Sequence, residues 1–312
     1  NDNFKGQYSE YQLIELKRWN RPYNIDERDL NVKFYIGTRE KAPEGKINWH
    51  NKYAAIVGLK FTIFANKSGW KSSDFEEYLK KGGFPELFEV KNSRGYIQGL
   101  FDSIIRKDIQ QRFKIRYIES LRMLANHMID NFGQEIIYSD LAERFGFGSS
   151  HTAENYVSYL KQTYLLLGIH KFSFKSKERI RNEKSYVVDT AFITERDDAM
   201  NGQNIGWKLE NITYVELLRR NKPLFYDIFY YREQYEIDFV VCEGNYVREL
   251  IQVSVDISSA KTYNREVSAL CKAATDLKCN KLTLITMNDN RIIEENNHTI
   301  QVISIIDWLL TF

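Results

Sequence analysis

Cysteine is scarce in this chain: three among 312 residues, Cys242, Cys271 and Cys279, with no CxxC pair and no Cys/His spacing of a zinc site. That excludes a scaffold stapled by disulfides or zinc and predicts reduced thiols in a cytosolic protein. Long apolar runs are missing as well. The longest, Tyr164 to Ile169 and Ile303 to Leu310, are far too short to span a bilayer, and no signal-peptide pattern is visible, so no membrane partner is expected. Charge of one sign is lacking too, the formal net charge being only +2, so any nucleic-acid surface would have to be local. Finally, there is no GxxxxGK[ST]. The stretch Gly37 to Lys46 has the wrong spacing and runs into Ile47, so it cannot form the glycine turn and hydroxyl that cradle a phosphate.

What the chain does have is apolar mass, 43% hydrophobic residues with 19 Phe and 20 Tyr, enough for two or three domains. Residues 1–80 are the least legible: a helical pattern over Tyr11 to Trp19, then strand-like runs at Val32 to Ile36 and Tyr53 to Phe64. Residues 81–185 read as helical. Arg94 to Arg116 and Ile118 to Asn131 are followed by Ile137 to Phe145, a Gly146-Phe147-Gly148 turn, and a helix from Ser149 to Leu167. With a hairpin of His170 to Phe174 against Ser185 to Val188, that order is the layout of a winged helix-turn-helix. Residues 186–312 alternate. A helix at Gly206 to Arg220 precedes strands at Ile228 to Arg232, Tyr235 to Cys242 and Tyr246 to Val255. A helix at Thr262 to Leu277 then precedes strands at Lys281 to Thr286 and Ile300 to Ile305. This predicts a three-layer α/β domain with a mixed sheet.

Two patterns carry chemistry. On the winged helix, Thr152, Asn155, Ser158 and Lys161 lie off the apolar face where a major groove could meet them, with Glu154 on the same side. Lys175, Lys177 and Arg179 in the hairpin connection suit phosphates. In the C-terminal part, Glu236-Ile237-Asp238-Phe239-Val240 and Leu250-Ile251-Gln252-Val253-Ser254 place an acid and an amide on neighbouring strands. The PD-(D/E)XK nuclease core holds a divalent metal with a similar layout, in which the second strand carries Glu-X-Lys. Glu210, Asp238 and Gln252 would form a degenerate version. Glu210 and Asp238 are the carboxylates able to bind Mg²⁺, Gln252 is a poorer ligand, and Ser254 stands where a lysine would position water. Arg265 and Glu266 could line the same cleft or form a surface ion pair. The bland alternative is a buried polar cluster that keeps the fold intact.

Further markers stand in the same order: Gly82-Gly83-Phe84-Pro85-Glu86, Ile105-Arg106-Lys107-Asp108-Ile109, Tyr186-Val187-Val188-Asp189-Thr190, Leu209-Glu210-Asn211 and Trp308-Leu309-Leu310. Over Phe75 to Phe312 they resemble prokaryotic AAA+-type ATPases with a C-terminal DUF4143 region. The resemblance implies a P-loop ATPase module using ATP and Mg²⁺, here an incomplete remnant, then a winged helix and a restriction-endonuclease-like α/β/α domain that contacts DNA or a protein partner. The alternatives from the residues are a non-enzymatic DNA-binding module and a weak metal-dependent DNA nuclease.

Overall fold

The computed structural model describes residues 72–311 except 89, 116, 176–181, 197–198, 200–203 and 221–226. The expectations for residues 1–71, including an ATPase remnant, and for Lys177 and Arg179 therefore lie outside the described residues.

The chain enters through α1 (Ser72–Lys81) and continues into α2 (Ser93–Ser103), capped by the Asn92 side chain, which accepts from the Gly95 N–H. Beyond Ser103 the backbone widens into a π-helix at Ile104–Gln110. The apolar spacing supplies the reason: Ile97, Phe101, Ile105 and Ile109 recur every four residues and all are buried. An α-helix of 3.6 residues per turn would rotate that series off the core, whereas a wider i→i+5 turn keeps it inward. Lys114 ends the run in the left-handed conformation.

Next come α3 (Ile118–Asp130), α4 (Tyr138–Arg144) and α5 (Ser150–Gln162). Ser149 caps α5 by accepting the Thr152 N–H, as its position before the apolar series predicts. The helix ends five residues earlier than its apolar pattern suggests, because Leu166 and Leu167 already belong to strand β1 (Leu166–Lys171), paired antiparallel with β2 (Glu183–Val187). The register pairs Leu166 with Val187 and His170 with Glu183, so the hairpin starts earlier on both strands than expected.

After the short α6 (Ala191–Thr194) and long α7 (Ile205–Arg220) come β3 (Asp227–Arg232), β4 (Glu236–Glu243) and β5 (Tyr246–Val253). Helix α8 (Ala260–Leu277) then leads to β6 (Leu282–Thr286), β7 (Arg291–Glu295), β8 (His298–Ser304) and α9 (Ile305–Leu310). The eight strands of the described residues form one mixed sheet in the order β2-β1-β3-β4-β5-β6-β8-β7. Alternation along each strand divides the core in two. Leu250, Leu284 and Val302 pack with α8, whereas Phe239, Ile251, Ile285 and Ile303 pack with α7, α9 and the helical part.

The hairpin is a member of this sheet. His170 and Lys171 pair in parallel with Phe229 and Tyr230. The outer edge of β2 is covered as well: the Gly133 N–H donates to the Ser185 carbonyl at 2.7 Å and the Ile136 N–H to the Glu183 carbonyl at 2.8 Å. The expected domain boundary between residues 185 and 186 falls inside β2, and β-pairing crosses it.

Candidate functional site

Asp238 and Gln252 are brought together as expected. They face each other on the antiparallel strands β4 and β5, whose register pairs Phe239 with Ile251. What they do there is hold the sheet. The Gln252 Oε1 accepts the Asp238 N–H at 3.2 Å, and its Nε2 donates to Glu266 Oε2 on α8 at 2.7 Å. Both ends of the amide are thus bonded within the protein, the oxygen to a strand N–H and the nitrogen to a carboxylate on α8. Asp238 Oδ2 accepts the Val253 N–H at 2.8 Å, and Ser254 turns its hydroxyl to the Asp256 carbonyl at 3.0 Å. Glu266 is buried and takes the Arg265 Nε at 2.8 Å, so this pair is a buried acid closed by a surface arginine.

Glu210, in α7, is half-buried, and its Oε1 accepts the Tyr186 hydroxyl at 2.5 Å. Two residues back along β2, buried Lys184 pairs with Glu236 and lies 4.8 Å from the Tyr230 ring centroid. Burial alone would lower the lysine's pKa. The charges of Glu210, Glu236 and Asp238 more than offset it, so Lys184 titrates above the ordinary lysine value. Burial raises the Glu210 carboxyl, with Lys184 and the Tyr186 hydroxyl pulling the other way. Asp238 is pushed well above the ordinary range by burial and then by the charge of Glu210, against the opposing pull of Lys184 and the Val253 N–H. The cluster is two reluctant carboxylates balanced by an internal ammonium.

That donor set does not fit Mg²⁺. A hard dication needs several oxygen ligands with water around them. Here a buried ammonium already serves as the counter-charge, Gln252 is committed elsewhere, and among the described residues no group of three or more His, Cys, Asp or Glu could hold a metal.

The expected nucleic-acid contacts divide. Lys161 reaches both oxygens of Glu183 at 2.8 Å and is occupied by that pair. Thr152 and Asn155 are half-buried, Thr152 bonding the Ser149 hydroxyl at 3.1 Å, and exposed Glu154 lies 3.6 Å from His151. Lys175 is exposed where the hairpin connection begins.

Sequence reasoning missed three polar residues. Asn211 bonds both backbone groups of Val187: its Oδ1 accepts the N–H at 2.8 Å and its Nδ2 donates to the carbonyl at 2.9 Å. Asp189 accepts the Gly83 and Ala191 N–H groups, each at 2.9 Å, tying the loop after α1 to the start of α6. Gly82 must be glycine here, because at φ +72° an added Cβ would sit 1.7 Å from Asp189 Oδ1. Lys184 is the third. In the sequence Asn211 and Asp189 stood only within the markers Leu209-Glu210-Asn211 and Tyr186-Val187-Val188-Asp189-Thr190, and Lys184 read only as one more cation of the hairpin connection.

The molecule is thus a mixed α/β protein built on one eight-stranded mixed sheet. Residues 72–199 match a domain of unknown function, DUF8612. The chain is 31% identical over 275 residues to an uncharacterized protein, MJ1544, of Methanocaldococcus jannaschii, covering 81% of this chain and 61% of that one. It is 27% identical over 244 residues to an uncharacterized protein of Haemophilus influenzae, covering 76% and 58%. The chain therefore spans about three fifths of the length of these relatives. No solved structure matches. These findings overturn the resemblance to AAA+-type ATPases with a DUF4143 region: the domain matched is DUF8612, and neither relative is described as an ATPase.

Proposed function

We propose that this chain is a non-enzymatic nucleic-acid-binding module, in which the buried acid–lysine cluster holds the fold and the helices α3–α5 with the β1–β2 hairpin meet duplex DNA. One observation carries the reading. The α4–turn–α5 unit leaves Arg144, Ser149, Ser150 and His151 exposed, along with the acids Glu143 and Glu154, and α5 is braced by α3 and β1. A helix N-terminus offers unpaired N–H groups and a partial positive charge, both suited to a backbone phosphate. Lys175 opens the hairpin connection, which in sequence continues through Lys177, Arg179 and Arg181. Catalysis has no comparable support, because Asp238, Gln252 and Glu266 bond to one another's strands and helix.

The test is fluorescence anisotropy of a labelled duplex over a salt series. Wild type should bind with an affinity that falls steeply as salt rises. Replacing Lys175, Lys177 and Arg179 together by Ala should reduce the slope of log affinity against log salt by roughly one for each phosphate no longer neutralised. A triple variant indistinguishable from wild type would reject the hairpin as a phosphate-binding element.

A further inference from the structure

The two faces of the sheet are covered unequally. Helix α8, with 18 residues, covers one face across β4, β5, β6 and β8. On the other face, among the described residues, α7 reaches Arg220 and α9 has only 6 residues, and together they leave part of the sheet surface uncovered beside the middle of β5 and the start of β6. A cavity of about 440 Å³ remains there. Its floor is aliphatic, with Ile228, Val241, Ile251 and Ile303 drawn from four different strands, and Trp308 of α9 forms a wall. This volume lies within the range of small-molecule sites and is too small for a helix or a folded partner.

The rim is polar and pre-set. Arg220 is fixed by Glu216 Oε1 at 2.9 Å and by the Trp308 carbonyl at 2.6 Å, with its guanidinium carbon 4.1 Å from the Trp308 ring centroid. These bonds use its Nε and Nη2, leaving Nη1 as the nitrogen that a ligand would meet. Across the cavity, Glu249 accepts both the Lys281 ammonium at 2.8 Å and the Thr283 hydroxyl at 2.6 Å. Each cation on the rim is held by a carboxylate, Arg220 by buried Glu216 and Lys281 by Glu249, so the rim is close to neutral and its open hydrogen-bonding capacity is that of donors.

We propose that this cavity binds a small amphipathic monoanion, its planar apolar body lying on Ile251, Ile303 and Trp308 and its acid group taken by Arg220 with help from Lys281. A pre-positioned arginine beside an aromatic wall and an aliphatic floor recognises an anion attached to a flat apolar group. The site lies on the opposite face of the sheet from Gln252 and Glu266 and is independent of DNA binding.

The full chain should be titrated with two fluorescent probes of one ring system: 8-anilinonaphthalene-1-sulfonate, and N-phenyl-1-naphthylamine, which lacks the sulfonate. The expected result is saturable one-to-one binding, about tenfold tighter for the sulfonate, as a charged hydrogen bond implies. Exposed Lys281→Gln should weaken the sulfonate severalfold and leave the neutral probe unchanged. Exposed Gln301→Trp, which fills the mouth without touching the core, should lower both affinities at least tenfold while thermal unfolding stays as in wild type. Equal affinity for the two probes, binding that does not saturate at one site, no binding, or a Gln301→Trp variant that binds normally would each overturn the proposal.

Discussion

Asn211, Gln252 and Asp189 all use side chains to bond backbone on another element, and none spends its polarity on solvent. Removing such a clamp leaves buried peptide groups unpaired, which costs more than the bond itself. Asn211→Ala should therefore lose roughly 2–4 kcal/mol of unfolding free energy, read from urea denaturation, because two Val187 groups lose their partner at once. A loss below about 0.5 kcal/mol would show that β2 does not need the clamp. Asp189 gives a pH test. Burial raises its carboxyl to about 6, against the Ala191 and Gly83 N–H groups and Arg219. The folded protein thus holds this proton more tightly than the unfolded chain, whose value is near 3.8. The contribution of Asp189 to stability is greatest at low pH and declines as pH rises from about 4 to about 6. The stability of wild type minus that of Asp189→Asn should fall across this window by up to about 3 kcal/mol. A difference that rises would contradict the burial account. At this scale the sequence was legible only in part: Gln252 could be read as the neighbour of Asp238, whereas the clamps made by Asn211 and Asp189 could not, and nothing in Gln252-Val253-Ser254 shows that Glu266 waits on α8 for its Nε2.

Among the elements, the amphipathic helices and buried strands were read nearly to their ends, because their apolar periodicity is long and capping residues such as Ser149 mark a boundary. Strand β7 escaped notice: it is an edge strand with Ile293 buried and Ile292 70% exposed, so it shows no alternating pattern. The end of α5 was misplaced since Leu165, Leu166 and Leu167 suit a helix face as well as a strand, and only pairing with β2 decides. Lys161 belongs to this level. It joins α5 to β2 through Glu183, whose side chain is 9% exposed while that of Lys161 is 28% exposed. Lys161→Ala should cost roughly 1–3 kcal/mol by stranding a mostly buried carboxylate, the lower end reflecting solvent screening of the lysine. If Lys161 instead met phosphate, its removal would lower the salt slope of DNA binding and spare stability.

For the whole molecule, the decisive feature is the parallel pairing of His170 and Lys171 with Phe229 and Tyr230, which joins a hairpin from the helical half to strands of the alternating half. The hairpin expected as part of a winged helix-turn-helix forms the outer part of an eight-stranded sheet. Chain order alone could not reveal this, since β1 and β3 lie far apart in sequence with α6 and α7 between them. One sheet with a shared core predicts that the two halves unfold together: fluorescence and far-ultraviolet circular dichroism should give coincident urea transitions. Separate transitions would mean that residues 166–187 and 227–304 are stable independently. The function proposed for the molecule is to bind nucleic acid and leave it uncut. Its most direct test is a labelled duplex incubated with the full chain and Mg²⁺ at low salt, followed by anisotropy and then run on a denaturing gel. The expected result is raised anisotropy, reversed by salt, with every strand at full length. A duplex that never binds, or one that is bound and shortened, would contradict it.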